Sequence, residues 1–232
     1  MHITAIVLAA GKGSRMQSEI PKQYMSIDGK PVLYYSLKAF EESLVDDIIL
    51  VTSEDSVSYC KNEIVEKYDI CKVKAIIAGG EERYLSVKKG LMSADKADYV
   101  LIHDAARPCL TMDIIKRSIE EVQITGACTV GVPVKDTIKL VDDDCFGLDT
   151  PPRNRLWQIQ TPQSFLYRDI LEAYRILEAS GDTDITDDTM IIERYLDKKV
   201  KVIQGDYCNI KITTTEDLSV VENFFKKNEK SC

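Results

Sequence analysis

Three cations lie in a glycine-containing segment near the start of the chain. The segment runs from Ala9 to Gln23 and carries Lys12, Arg15 and Lys22. It directly follows the apolar run Ile3–Ala9, which predicts a buried strand. Backbone N–H groups at small residues, together with cations, form a cradle for phosphate groups. Arg15 and Lys22 are therefore candidates for stabilising the negative charge that builds up during phosphoryl or nucleotidyl transfer.

The same loop does not match the two most familiar phosphate-binding motifs. The third glycine of the dinucleotide pattern would fall at Met16, and no Gly-Lys-Ser/Thr follows at P-loop spacing. A dehydrogenase on a dinucleotide-binding fold is therefore disfavoured.

A second polar cluster, Gly79-Gly80-Glu81-Glu82-Arg83 followed by Ser86, comes after another apolar run. Paired glycines let the backbone approach a base or ribose closely, and a serine hydroxyl can bond to a base edge. Without context, Gly-Gly before a helix is equally common in ordinary turns, so this cluster leaves a structural role open.

A third cluster is His103-Asp104-Ala105-Ala106-Arg107-Pro108. Asp104 could accept a ribose or substrate hydroxyl, or hold Mg²⁺ directly or through water. Arg107 could pair with Asp104 or bind a phosphate with two parallel hydrogen bonds. We interpret His103 as a buried, hydrogen-bonded histidine rather than a general base, and no zinc-type cluster is predicted.

Weaker motifs follow in the second half of the chain. Thr161 stands in Gln160-Thr161-Pro162-Gln163, Lys211 in Asn209–Thr213, and Thr186 before two acids that are also typical of a helix start. Together with Thr137 and Arg153 they supply hydroxyls and cations that suit a second, phosphorylated substrate.

These motifs need a scaffold that brings loops together, and alternating strand and helix patterns predict one. Four apolar runs indicate strands, and residues at helical spacing indicate helices between them. The strands are Ile3–Ala9, Ile48–Thr52, Val73–Ala78 and Tyr99–His103; the helix faces are Val32, Leu33, Ser36, Leu37 and Phe40, then Val87, Leu91 and Ala94. The pattern predicts an α/β, Rossmann-like, mostly parallel twisted sheet flanked by helices, with ligands at the carboxyl ends of its strands. We expect a single domain over residues 1–232.

The alternation breaks after Pro133, and residues 134–155 predict a protruding β-hairpin arm. Its apolar residues would be exposed on an isolated arm, so we expect a second subunit to cover them; a long surface loop in a monomer is the alternative. Regular structure is predicted to resume over Leu166–Leu177, Thr186–Leu196 and Lys199–Gln204. A last helix is expected from Thr214, where Asp217 completes a capping box.

Composition narrows the class of protein further. A net charge of −8 disfavours general nucleic-acid binding. No apolar run approaches the roughly twenty residues that span a bilayer, and no secretory signal is evident. Seven scattered cysteines without a Cys-x-x-Cys pair predict free thiols in a reducing cytoplasm.

In motif order over essentially its full length, the chain resembles the 2-C-methyl-D-erythritol 4-phosphate cytidylyltransferases of non-mevalonate isoprenoid biosynthesis. The stretches that carry the resemblance are Leu8–Met16, Pro21-Lys22-Gln23, His103–Pro108, Pro133–Lys139, Thr161-Pro162-Gln163, Thr186-Asp187 and Asn209–Thr213. The resemblance implies a nucleotidyltransferase-type fold and transfer of a cytidylyl group from CTP to methylerythritol phosphate, with Mg²⁺ or another divalent cation.

The resemblance also implies roles for individual residues. Arg15 and Lys22 match the positions that stabilise the transition state. Nucleotide contacts are implied for Ala9, Ala10, Gly11, Lys12, Gly13, Gly80, Glu81, Ser86, Asp104 and Ala105, with Asp104 also near the metal. Contacts to the polyol phosphate are implied for Arg107, Thr137, Arg153, Thr161, Thr186 and Lys211. The family resemblance further implies a homodimer with interlocking arms, in which Arg153 serves the neighbour's site.

Two alternatives remain open at this stage. A ribitol-5-phosphate cytidylyltransferase would share the chemistry, although Ala10 and Ala106 favour the methylerythritol enzyme. A non-catalytic nucleotide-binding regulator is a remote alternative, because a sensor does not need cations that stabilise a transition state.

The chain departs from the family pattern at two places. They are the extra residue in Thr186–Tyr195 and the arginine at position 155.

Overall fold

The computed structural model describes residues 1–11 and 20–229. In chain order, its strands and helices have the following bounds: β1 Ile3–Ala9, β2 Ser26–Ile27, β3 Lys30–Pro31, α1 Val32–Glu41, β4 Asp47–Thr52, α2 Val57–Tyr59 continuing as a π-helix over Cys60–Glu66, β5 Val73–Ala78, α3 Arg83–Ser93, β6 Tyr99–Asp104, α4 Met112–Thr125, β7 Ala127–Pro133, β8 Leu140–Val141, β9 Gly147–Asp149, β10 Trp157–Leu166, α5 Tyr167–Ser180, α6 Asp188–Leu196, β11 Lys201–Gln204 and α7 Thr215–Glu229. No described helix is both long enough and apolar enough to cross a bilayer.

Seven strands form one sheet in the order β11-β7-β10-β6-β1-β4-β5. Every neighbouring pair is parallel except the two pairs that β10 makes with β6 and β7. The predicted mostly parallel α/β sheet is therefore confirmed. Because β10 runs against its neighbours, its first residues lie at the same edge as the carboxyl ends of the parallel strands, with Trp157 paired to Pro133.

Helices cover both faces of the sheet, which explains why its central strands are apolar on both sides. Along β1, Ala5 and Val7 pack in a core with α1 and α4, while Ile6 packs in the opposite core with α3, α5 and α6. Both cores are almost completely removed from water. The two helical layers therefore pack against the strands whose ends carry the site.

The four strands and two early helices expected from apolar periodicity are confirmed. The sequence did not predict β10, because Gln158, Gln160, Gln163 and Ser164 interrupt its apolar pattern. Helix α4 and strand β7 were also not predicted. Helix α6 begins at Asp188 rather than Thr186, because the Asp187 side chain caps it by accepting from the Met190 N–H at 2.9 Å.

The predicted arm is present as the short hairpin β8–β9. Its apolar side chains are exposed: Ile138 40 %, Leu140 52 %, Val141 51 %, Phe146 70 % and Leu148 68 %. Near the C-terminus, α7 begins one residue after the predicted start, and the Asp217 carboxylate accepts from the backbone N–H groups of Thr213 and Thr214. Its inward residues pack on a third, smaller apolar cluster that includes Ile27 and Ile212.

Candidate active site

A cleft opens at the carboxyl ends of β1, β5 and β6. Most of the predicted nucleotide-binding residues within the described part of the chain line it, together with Lys22. The lining residues are Leu8, Ala9, Ala10, Gly11, Lys22, Gln23, Gly80, Glu81, Glu82, Arg83, Ser86, Asp104, Ala106 and Lys211. Motifs as far apart in the sequence as Leu8 and Lys211 thus meet at one edge of the sheet, as parallel α/β topology predicts.

The loop after β1 is fixed to the turn that carries Lys22. This turn is a short 3-10 helix, Lys22–Tyr24. The Gln23 amide donates to the backbone oxygens of Ala9 at 2.6 Å and Gly11 at 3.1 Å. The predicted residues Lys12, Gly13 and Arg15 lie outside the described residues. What is described of the loop is its two ends, which Gln23 joins.

The second wall of the cleft requires its glycines. A Cβ on Gly79 would come within 2.7 Å of the Ala10 side chain and 2.6 Å of Ser86 Oγ, and a Cβ on Gly80 within 2.4 Å of Leu85 Cβ. The Ser86 hydroxyl accepts from the Gly80 N–H at 3.0 Å. Ser86 is therefore placed at the cleft as predicted, but its hydroxyl also holds the shape of the glycine turn.

Asp104, the last residue of β6, stands between two cations. Its carboxylate oxygens receive Arg83 Nε at 3.2 Å and Lys211 Nζ at 2.8 Å. Burial alone would raise the pKa of Asp104, but Arg83, Lys211 and Arg107 together hold that pKa well below its usual range. Asp104 is consequently a carboxylate at any pH at which the protein would work.

Arg83 continues this network into the protein interior. Its Nη2 donates to the fully buried Asp188 at 2.8 Å, and Asp188 also accepts from the Tyr174 hydroxyl at 2.6 Å. Burial opposes the charge on Arg83, yet Asp188 and Asp104 raise its pKa overall. The start of α3, the end of β6 and the start of α6 are therefore joined through one guanidinium.

A second cleft adjoins the first and shares three of its residues. Its lining residues are Arg83, Asp104, Arg107, Ile159, Gln160, Thr161, Gln163, Thr186, Asp187 and Lys211. Asp104, Arg83 and Lys211 thus form the boundary between the two clefts. The register of β10 shifts between Ile159 and Gln163, and such irregularities turn side chains toward a site.

His103 lies beneath this boundary and is fully buried. Its Nε2 lies 3.2 Å from the Arg107 carbonyl oxygen, which can only accept, so Nε2 donates. Nδ1 then accepts from the Thr161 hydroxyl at 2.9 Å, and Thr161 Oγ1 accepts from the Asp104 N–H at 3.1 Å. Burial lowers the pKa of His103 to about 4. The prediction of a buried, hydrogen-bonded histidine is confirmed.

Arg107 is held at the floor of the second cleft. Its Nη1 donates to the Asn209 carbonyl oxygen at 2.8 Å, and burial lowers its pKa even though Asp104 acts to raise it. The buried Nε of Arg107 has no hydrogen-bond partner among the described residues. A half-buried guanidinium that lines a cleft and has an unused donor is suited to an anionic ligand.

Three predicted residues do not line either cleft. Ala105 is fully buried, and its neighbour Ala106 lines the nucleotide side instead. Thr137 and Arg153 lie on the arm, where Arg153 Nη1 donates to the Lys135 carbonyl oxygen at 3.0 Å. Within one chain, the structure does not bring these two residues to the clefts.

Several residues that shape the site had no role predicted for them from the sequence. Gln23 fixes the loop ends, and Gln163 joins β10 to α6 by donating to Asp187 at 2.8 Å and accepting from the Asp188 N–H at 2.9 Å. Asn209 donates to the Thr161 carbonyl oxygen at 2.9 Å. Each stands in a polar motif of the sequence, but its partner lies far along the chain and no local pattern points to it.

The described residues do not by themselves form a Mg²⁺ site. They include no group of three or more histidine, cysteine, aspartate or glutamate side chains placed to hold a metal ion. Both oxygens of Asp104 already accept from cations, which disfavours direct coordination of another cation there. Mg²⁺ commonly keeps several waters and takes its remaining ligands from substrate phosphates, so a metal arriving with a nucleotide is compatible with this geometry.

A mostly parallel sheet whose strand ends carry two adjoining clefts suits an enzyme that joins two substrates, and comparison with known proteins identifies it as a nucleotidyltransferase and defines its family. The chain matches the family model described as "IspD: 2-C-methyl-D-erythritol 4-phosphate cytidylyltransferase" over residues 3–227. The chain belongs to this family.

The chain also aligns with individual relatives over nearly the whole length of both proteins. The enzyme of that name from Lachnospira eligens is 52 % identical, over 96 % of this chain and 99 % of its own. The one from Lachnoclostridium phytofermentans is 49 % identical, over 98 % and 97 %. A crystal structure of 4-diphosphocytidyl-2C-methyl-D-erythritol synthase from Anaerococcus prevotii superposes with a TM-score of 0.86 at 35 % identity, covering 97 % of this chain and 96 % of that one.

Proposed function

We propose that this protein transfers a cytidylyl group from CTP to 2-C-methyl-D-erythritol 4-phosphate. An oxygen of the polyol phosphate attacks the α-phosphorus of CTP. A new P–O–P bond forms, the bond between the α- and β-phosphates breaks, and pyrophosphate leaves with its electron pair. The observation that carries the proposal is the pair of clefts that meet at Asp104, Arg83 and Lys211, because the two reacting groups must meet at one point.

The nucleotide is assigned to the cleft lined by the loop after β1. Ala9, Ala10 and Gly11 would contact the phosphates through their backbone, while Gly80, Glu81 and Ser86 border the cytidine. Lys22 lines this cleft from a turn that is fixed to β1, so its ammonium would stabilise the charge on the reacting phosphate. Arg15, Lys12 and Gly13 belong to the same proposal on the strength of the sequence.

The polyol phosphate is assigned to the second cleft. Arg107 and Lys211 provide positive charge there, and Thr161 and Thr186 provide hydroxyls. Lys211 is shared with the nucleotide cleft, so it can orient the attacking phosphate toward CTP. Asp104 holds Lys211 in place and would accept from a hydroxyl of either substrate.

We propose that Mg²⁺ accompanies CTP, with its ligands drawn chiefly from the triphosphate and with Asp104 near it through water. The proposal is supported by the charge of the triphosphate and by the way Mg²⁺ usually binds. We also propose a cytoplasmic location, which fits the free thiols of the six described cysteines.

We further propose a single domain that forms a homodimer through residues 134–155, with Arg153 and Thr137 serving the partner's second cleft. Five exposed apolar side chains on one short arm are unusual for a monomer. Sedimentation equilibrium should therefore give twice the chain mass at micromolar concentration. A monomer at that concentration would contradict both the dimer and the role of Arg153 in the partner's cleft.

The proposed reaction is tested by turnover of CTP with each of two purified acceptors. We expect pyrophosphate release with methylerythritol phosphate to exceed that with ribitol 5-phosphate in kcat/KM. The opposite ranking would identify the ribitol enzyme. CTP binding without pyrophosphate release from either acceptor would instead support a regulator.

A further inference from the structure

Gln23 has a buried side-chain amide and lines the nucleotide cleft. Its side chain is only 3 % exposed, and it lies in the turn Lys22–Tyr24 rather than in the loop after β1. From there its Nε2 donates to the carbonyl oxygens of Ala9 and Gly11. Both donors of the amide are therefore committed to two residues that themselves line the cleft.

These two bonds decide which way the backbone of the loop faces. The Ala9 and Gly11 oxygens are directed at Gln23, so they are not turned toward a bound triphosphate. An oxygen facing the phosphates would add repulsion where the site needs N–H donors.

The neighbouring Tyr24 fixes the same turn from its other side. Its hydroxyl bonds to Thr52 Oγ1 at 2.5 Å, and Thr52 is the last residue of β4. Its N–H donates to the Pro21 carbonyl oxygen at 2.9 Å. The turn that carries Lys22 is thus tied to the ends of two adjacent strands, β1 through Gln23 and β4 through Tyr24.

We propose that Gln23 is a positioning residue for nucleotidyl transfer, which orients the Ala9–Gly11 backbone and sets the Lys22 turn against it as one unit. The inference rests on the proposed function of the cleft. It assigns Gln23 no contact with the reacting atoms. Gln23 affects the rate by orienting the two carbonyl groups to which it donates and by setting the position of Lys22.

Two substitutions separate this role from general stability. Gln23→Glu keeps the length of the side chain but places a carboxylate against two carbonyl oxygens. We expect kcat/KM for CTP to fall by about a hundredfold, as misplacement of catalytic groups by an ångström does, while KM for the polyol phosphate stays within about twofold. Because a protonated carboxyl can donate one hydrogen bond, activity relative to wild type should recover as the pH falls. The matched control is Gln204→Glu on β11, a position that lines neither cleft. We expect this variant to keep the wild-type rates.

Gln23→Met keeps the volume, removes both donors and adds no charge, so it answers the question if Gln23→Glu does not fold. It should also lose CTP turnover, without the recovery at low pH. The proposal is overturned if the folded variants keep kcat/KM for CTP within about twofold of wild type, or if only KM for the polyol phosphate changes. If wild-type protein itself transfers no cytidylyl group, the proposed function fails, and CTP affinity of wild type against Gln23→Met, measured by calorimetry, still tests Gln23.

Discussion

The nucleotide cleft and the arm are built in opposite ways from the same chain. The cleft rests on buried networks whose members are distant in sequence, such as Arg83 between Asp104 and Asp188. The arm consists of a local hairpin whose apolar side chains face water. The described part of the cleft is held together within a single chain, whereas the apolar side chains of the arm are exposed on that chain. The contrast is what we expect if, as proposed, a partner subunit covers the arm and completes the polyol-phosphate side of the site.

The largest expected effect concerns the buried network. Asp188→Ala leaves Arg83 with one partner instead of two in the interior, so we expect the free energy of unfolding to fall by about 3–5 kcal/mol. Urea denaturation of wild type and variant measures this change in the free energy of unfolding. Asp113→Ala, which breaks the exposed pair with Arg117 on α4, should cost less than about 1 kcal/mol. Equal losses for the two variants would remove the distinction between cleft and surface.

The next effect is a pH dependence that originates beneath the cleft. His103 has a pKa of about 4 in the folded protein and an ordinary value of 6.5, so between these values the unfolded chain binds more protons. Stability is therefore lost as the pH falls from 6.5 toward 4, by about 3 kcal/mol in all. Chemical denaturation across this range should show the slope, and His103→Asn should flatten it. His2→Asn should retain the His103 slope, and a flat wild-type curve would contradict the assignment.

The third prediction joins the two regions in one experiment. Lys22→Ala and Arg153→Ala should each lower kcat by about a hundredfold or more, because each removes positive charge from the transition state or the attacking phosphate. Subunits of the two variants, mixed and allowed to exchange, should regain about a quarter of wild-type activity, since mixed dimers carry one intact site.

The control for this mixing experiment pairs Lys22→Ala with Lys211→Ala. Both residues line clefts of their own chain, so no activity should return on mixing. Absence of recovery in the Lys22 and Arg153 mixture as well would mean that the arm does not act on the partner's site.

The smallest effect is expected on the stability of the arm itself. Phe146→Asp removes an exposed ring that contributes little within one chain, so the free energy of unfolding in dilute, monomeric protein should change by less than about 0.5 kcal/mol. Sedimentation should nevertheless shift from dimer to monomer. A large loss of monomer stability would show that Phe146 packs on its own chain instead.

The parts of the fold that the sequence predicted are those with a local signal. The strands at Ile3–Ala9 and Asp47–Thr52 are mainly apolar because both of their faces are buried. Strand β10 was not predicted, because its glutamines and Thr161 interrupt the periodic apolar pattern that marks a strand. The site itself places its polar side chains in a central strand.

The residues of the site divide in the same way, into those with a local sequence signal and those without one. Gly80 and Asp104 lie at the carboxyl ends of β5 and β6, and Lys22 lies in the segment between β1 and β2, so all three could be found by position. The roles of Gln23 and Asp188 could not, because a hydrogen bond to a backbone oxygen 14 positions away, or an ion pair across 105 positions, leaves no local pattern. Long-range polar contacts of this kind become visible only when the fold is known.

The antiparallel strand β10 has a thermodynamic consequence. It begins at the arm, where Trp157 pairs with Pro133, and within five residues it supplies Thr161 to the second cleft. If a partner chain covers the arm and reaches the same cleft, substrate binding and subunit association become linked equilibria. Each must then favour the other by the same free energy. The dissociation constant of the dimer should fall when polyol phosphate is present, and dilution should weaken the affinity for that substrate before it weakens the affinity for CTP.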